Sequence, residues 1–451
     1  MNRSRTKRTR SRSRRPQRSG PSPRADYTTQ LRQALRRSLP LQGLPLIAAG
    51  KRWSDRLLVT TILLLVFSSL DTLRERFGEA RAAVVRMYPS RRRPGTTYAG
   101  FIGQLAAHSP RLLALLGPHL RQRVEEAAGG AWRIGRQVAF GVDGSKSDAP
   151  RTKANRRGLK IGGKRKSGPQ QLLVTLLHLG TGLPWSWRHG EATASERGLL
   201  LAQLSLLPAG ALLVGDAGFV GYQLLQTILG AGYQMLVRAG SNVRLLQGLG
   251  WEVQEHGDVV YVWPDQARRE GQAPLVLRRI VLVDGRNRRM CLLTNLSEEE
   301  LTLEEARELY RRRWGIEVFF RGLKQTLGRR KMLSDTPTHA GVELDWTMVG
   351  YWILGLWLWE QRAEKAPVSQ GLAWALRLVR AAVAGRGDRR GTLAAAWGRL
   401  TVDRYVRRRP KKAWNWPHKK NDPPCGLPHL RMATALEIRG AKRLAARRQA
   451  A

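Results

Sequence analysis

The chain holds 451 residues, of which 79 are Lys or Arg and 34 are Asp or Glu, leaving a formal net charge of +45. Such a surplus calls for a polyanionic partner, and nucleic acid fits best, because cations that neutralise phosphates supply affinity without regard to base sequence. A hydrophobic content of 42% with 15 Trp excludes a fully disordered polycation, and the length suggests about two or three domains.

Cys291 and Cys425 are far apart and form no CxxC, which argues against a disulfide framework and a zinc ribbon. No histidine pair of the HxxxH kind occurs. The apolar runs Leu57–Leu70 and Trp346–Trp359 are shorter than the roughly 20 residues a bilayer requires, so they are expected as buried helices and no membrane partner is expected. Residues 1–25 hold ten Lys or Arg and no acid. Without an apolar core they are no secretory signal, and they suit a disordered tail for phosphates.

Residues 26–135 read as a helical, DNA-binding N-terminal domain, with Ser54 capping the first apolar run and further helical periodicity from Tyr98 to Leu116. Over 136–241 the pattern becomes α/β. Val138–Val142 is a short strand ending at Asp143, Gln171–Leu179 and Leu183–Trp187 form a hairpin, and Ala211–Val214 is a buried strand ending at Asp216. Thr193 and Glu196 have the spacing of a capping box opening a helix to about Leu207. Residues 242–300 read as an all-β insertion, with strands near Asp258–Trp263, Leu275–Val283 and Met290–Leu293 and a turn at Asp284-Gly285. Residues 301–385 read as helical. A second capping box, Thr302 with Glu305, starts a long helix running to about Gly328, and Leu301 is placed as a staple. Residues 386–451 are a basic, helical C-terminal region in which Trp414 and Trp416 stand among Arg407, Lys411, Lys412, Lys419 and Lys420, a mixture suited to a nucleic-acid groove.

Asp143 and Asp216 stand at the ends of apolar strands, where an unpaired carboxylate is costly unless it meets a cation. Taken singly, each is as readily a turn cap. On the helix after Thr302, Tyr310, Arg313, Glu317 and Lys324 fall at about 0°, −60°, −20° and −40°, one narrow polar face. A solvated face with an Arg313–Glu317 pair is the plain alternative. Together the three acids could hold two hard cations for phosphodiester chemistry, with Arg313 and Lys324 on flanking phosphates and Tyr310 hydrogen-bonded to one. Trp314 suits either stacking on an unstacked base or core packing. Lys160 and Lys164, in the basic stretch after Asp143, suit either the DNA backbone or a linker.

The string Tyr310-x2-Arg313-x3-Glu317-x6-Lys324, with Asp143 and Asp216 before it, resembles the signature of DDE transposases of bacterial insertion sequences, over roughly Val138 to Trp359. The resemblance implies an α/β, RNase H-like catalytic core interrupted by the all-β insertion. It implies Asp143, Asp216 and Glu317 as catalytic and metal-binding residues, and two Mg²⁺ ions, with Mn²⁺ as substitute. It further implies cut-and-paste transposition by hydrolysis at the element's ends and strand transfer into target DNA. The partners implied are the terminal inverted repeats, target DNA and a second copy in a synaptic dimer, within the bacterial cytoplasm at the nucleoid. Two alternatives stand beside it: an inactive DNA-binding relative, and an RNase H-like nuclease acting on branched DNA.

Overall fold

A computed structural model describes residues 27–40, 52–89, 93–162, 168–251, 258–283, 287, 289–361, 371–385, 393 and 426–450. The basic tail, Lys164, the Asp284-Gly285 turn, Cys425 and the Trp414/Trp416 region lie outside the described residues.

Four helices lead: α1 (Tyr27–Ser38), α2 (Asp55–Phe67), α3 (Leu73–Met87) and α4 (Tyr98–Ala128). Ser54 caps α2 by accepting the Leu57 N–H, and Thr72 and Glu75 close a capping box on α3. These side chains satisfy amides that the first helical turn leaves without a carbonyl. α4 outruns the expected Leu116 and carries Pro110 and Pro118 inside it. Interior prolines cost helix stability, and here a buried stripe of Leu105, Leu112, Leu116, Leu120 and Val124 offsets that cost by packing.

Ten strands form one sheet: β1 (Ala139–Asp148), β2 (Gln170–His178), β3 (Leu183–Glu191), β4 (Leu212–Gly215), β5 (Gln234–Ala239), β6 (Arg244–Gln247), β7 (Val259–Val262), β8 (Leu275–Val283), β9 (Arg289–Thr294) and β10 (His429–Met432), in the order β10-β6-β7-β8-β9-β5-β4-β1-β2-β3. β1, β4 and β5 are parallel, and β2 is antiparallel to both β1 and β3. The expected strand at Val138–Val142 is longer than its apolar run, because β1 stays paired with β2 as far as Asp148–Gln170. Asp143 therefore lies within the strand, opposite Thr175, rather than at its end.

Residues 242–300 are rich in strands, yet those strands extend the same sheet. β9 pairs antiparallel with β5, β8 and β7 follow, and a one-turn helix α8 (Asp265–Arg269) interrupts the run. The end of the chain also returns: β10 pairs in parallel with β6 before the final helix, so the described C-terminal residues are not purely helical.

Short helices α5 (Lys153–Leu159), α6 (Glu196–Leu201) and α7 (Tyr222–Gly230) sit between strands. The Thr193–Glu196 box does not form. Ser195 caps α6 through the Gly198 N–H, Thr193 donates to Glu191, and the helix ends at Leu201 rather than Leu207. The Thr302–Glu305 box forms both ways, over buried Leu301. The helix it opens runs as α9 (Leu303–Arg313), breaks at Trp314, resumes as α10 (Gly315–Arg321) and widens into a π turn over Gly322–Thr326. It stops before Gly328, whose φ of +71° favours glycine.

Then follow α11 (Pro337–Glu360), α12 (Leu372–Val383) and the last helix, α13 (Ala435–Gln449). α2 and α11 hold the two long apolar runs, and both are buried inside the main core. Among the described residues no helix is long and apolar enough to cross a membrane.

Candidate active site

The parallel pairing of β1 with β4 registers Gly141 opposite Val214. Asp143 and Asp216 each lie two residues further on, Asp143 still within β1 and Asp216 just past the end of β4, and the charge of Asp216 acts on Asp143. Both follow the face lined by Ala139, Leu212 and Val214, against which Ala306 and Leu309 of α9 pack. That packing brings the Tyr310–Glu317 strip into the field of Asp143 and Asp216. Apolar burial of α9 thus sets the geometry of the polar residues beside it.

Asp143 is largely buried. One of its oxygens accepts the Gly144 N–H at 2.8 Å, and burial, aided by the charge of Asp216, raises its pKa to about 6, while Arg313 pulls it down. Asp216 opens a tight turn over Ala217–Phe219 by accepting the Gly218 N–H at 2.8 Å. Burial raises the Glu317 carboxyl as well, opposed by Arg313 and Arg321. Arg313 Nη2 stands 3.8 Å from Glu317 Oε1, and its guanidinium lies 5.3 Å from the Tyr310 ring centre. The Arg313 Nε is buried with no partner among the described residues. A buried donor left in that state costs free energy until an acceptor arrives. Lys324 occupies the π turn within the field of Asp148 and Asp143, its pKa lowered by burial. The structure thus brings six of the sequence-selected residues together: Asp143, Asp216, Tyr310, Arg313, Glu317 and Lys324.

The others fall differently. Trp314 is 56% exposed, so core packing does not account for it. Lys160 is ion-paired with Glu191 at 2.7 Å, which removes it from the group around Asp143. Glu308, a competing acid on the same helix, is held by Arg311 and Arg312, which lower its pKa to about 2.

Three residues join the site that sequence reasoning did not select. Glu196 lies against Gly144, where a Cβ would come within 2.5 Å of its Oε1. Burial and Asp216 raise its pKa, and Lys146 lowers it. The carboxylate is free to lie there because Glu196 is not the box residue that its spacing with Thr193 suggested. Arg197, beside it, donates from Nε to the Gly218 carbonyl (3.0 Å) and from Nη2 to the Val220 carbonyl (2.7 Å), fastening the turn that orients Asp216. Arg238 on β5 acts on Tyr310, and its Nε is buried without a partner among the described residues. Its only sequence signal is a cation at the end of an apolar strand.

All the acids offer oxygen, which suits a hard divalent cation, and burial of Asp143 beside Asp216 is the kind of cost that such a cation removes. Among the described residues, though, no three His, Cys, Asp or Glu side chains are gathered closely enough to hold a metal ion.

The fold and the site together define a mixed α/β protein with a large sheet, carrying one carboxylate within β1, a second just past the end of β4, and a cation-flanked glutamate on the helix packed across them. Residues 135–353, just under half of the chain, match the family model of the transposase DDE domain, which supports placement among DDE transposases. Among solved structures, a piggyBac transposase synaptic complex with hairpin DNA matches at a TM-score of 0.40 and 10% identity, covering 79% of this chain and 76% of that one. No curated protein matches the chain.

Proposed function

We propose that this chain is a DNA transposase of the insertion-sequence type, with an RNase H-like core, which cleaves phosphodiesters at the ends of its element and joins them to target DNA. What carries the reading is the coupling of Asp143, Asp216 and Glu317 with Arg313, Tyr310 and Lys324 around the middle of β1 and the end of β4, within the span that matches the transposase domain.

In this reading Asp143, Asp216 and Glu317 would hold two Mg²⁺ ions, which would supply activation of the attacking oxygen and stabilisation of the leaving one. Arg313 and Arg238 offer their unpartnered guanidinium N–H groups to the non-bridging oxygens of the scissile and neighbouring phosphates. Lys324, positioned by the π turn, adds a point charge, and the Tyr310 hydroxyl donates to a phosphate oxygen. Exposed Trp314 offers its indole face to a base unstacked at the DNA end. Lys160, tied to Glu191, is left out of the phosphate contacts. Water attacks first, and the freed 3′-hydroxyl attacks in the second step, within a dimer that holds two ends. The partners are the terminal inverted repeats and target DNA at the bacterial nucleoid.

A second reading, a relative that binds DNA without cutting it, is favoured by one observation: the three acids are not gathered within metal-holding reach. Cleavage of a labelled duplex carrying the flanking inverted repeat decides between them. With Mg²⁺, nicking at the repeat end is expected from the native chain and absent with chelator or in Glu317→Gln, while binding of the duplex is retained. Salt-sensitive binding without a nick under any divalent metal would leave only the second reading standing.

A further inference from the structure

A groove of about 500 Å³ runs between α8 and α13, lined by Trp263, Arg268, Arg269, Glu437, Arg443 and Arg447 among others. We propose that this groove binds the phosphate backbone of duplex DNA at a distance from the reacting bond, an inference that rests on the transposase reading.

The acids at the groove are already neutralised: Glu437 takes two hydrogen bonds from Arg431, at 2.7 and 2.8 Å, and one from Arg268 at 2.5 Å, while Asp265 pairs with Arg268. Those ion pairs spend Arg268 and Arg431 and leave three exposed cations, Arg269, Arg443 and Arg447, with no acidic partner among the described residues. Arg443 and Arg447 are one helical turn apart on α13, about 6 Å along its axis, so two neighbouring phosphates of one strand lie within their reach. Arg439, Lys442 and Arg448 are also exposed on this helix, and they keep the surrounding field positive. α13 is anchored by Ala441 packing among Leu245, Tyr261 and Trp263, and by the pairing of β10 with β6, which makes this a fixed surface rather than a loose basic tail.

The same charge decides the occupant. A second copy of the chain is a poor partner for a cationic groove, because it carries 79 basic residues against 34 acidic ones. Duplex DNA offers a phosphate for each approaching arginine, and each neutralised phosphate releases bound counterions. Position decides the role. None of Asp143, Asp216 and Glu317 lines the groove, so its arginines act on affinity and not on the reacting phosphate.

The test is the salt dependence of binding to a fluorescent duplex of random sequence, from about 50 to about 200 mM salt, comparing the native full-length chain with the variant Arg269→Gln/Arg443→Gln/Arg447→Gln. If all three arginines neutralise phosphates, the slope of log K against log salt becomes shallower by about 3 in the variant. Lysine at the same three positions restores the slope, since counterion release follows charge. An unchanged thermal midpoint in the glutamine variant shows that the fold is intact. A native chain with a steep slope that the variant retains would overturn the groove and leave the transposase reading in place. No binding by the native chain would overturn both. Loss of a dimer in sedimentation without a change of slope would assign the groove to self-association instead.

Discussion

His178 shows how one buried side chain makes this fold sensitive to acid. It sits on β2, stacked 4.7 Å from Trp132, with Nε2 3.0 Å from the Trp132 carbonyl and Nδ1 facing both the hydroxyl and the N–H of Thr181. The hydrogen-bond network assigns the proton to Nε2, so a second proton on Nδ1 would meet a donor rather than an acceptor. Burial lowers the pKa to about 4, against the ordinary 6.5. Between those values the unfolded chain binds the proton and the folded chain does not. Stability is therefore complete above about 6.5 and declines as the pH falls towards 4, by an amount on the order of 3 kcal/mol. Denaturant midpoints measured across this window should fall with pH in the native chain, and more gently in His178→Gln. Parallel slopes in the two proteins would remove His178 as the source.

At the scale of elements, α6 governs the turn that carries Asp216. Its Arg197 holds two carbonyls of that turn, and the Gly218 amide between them orients the carboxylate. Arg197→Ala is expected to slow nicking by up to about 100-fold, the size of effect that displacement of a reacting group by about 1 Å can produce, with binding of the end duplex preserved. Guanidinium ion added back should recover part of the rate. Equal losses of binding and nicking would instead indicate general unfolding of the element. α6 also shows why local sequence signals misdirect. Thr193 and Glu196 have capping spacing, yet Ser195 takes the cap by accepting the Gly198 N–H, and Glu196 lies against Gly144, where Lys146 offsets the repulsion of Asp216. On α9 the same kind of box forms as its spacing suggests, with Glu305 accepting the Thr302 N–H and hydroxyl.

Across the whole molecule, the last described residues complete a sheet that begins more than two hundred residues earlier. β10 covers the outer edge of β6, and Ala441, with partly buried Leu430 and Leu444, packs on the apolar cluster of Leu245, Tyr261 and Trp263. Truncation before Gly426 bares that edge and cluster, so the thermal unfolding free energy should fall by about 2 kcal/mol or more, and the shortened chain should aggregate through the exposed strand. A truncated protein with the native thermal midpoint would show that this end is an appendage.

Much of the molecule was nonetheless written in its order of residues. The apolar runs, the turn glycines and the Thr302 and Ser54 caps place helices and strands, because those signals act within a few residues. The spacing of Tyr310, Arg313, Glu317 and Lys324 places four side chains on one face, because a helix repeats regardless of context. The +45 charge names a polyanion as partner. Tertiary structure alone decided the rest. It merged residues 242–300 and the C-terminal strand with the core sheet, since strand pairing joins segments that share no local signal. It exposed Trp314, paired Lys160 with Glu191, and recruited Glu196, Arg197 and Arg238 to the site. Those outcomes depend on which charges and backbone groups become neighbours on folding, and contact between distant segments is fixed only when the chain packs.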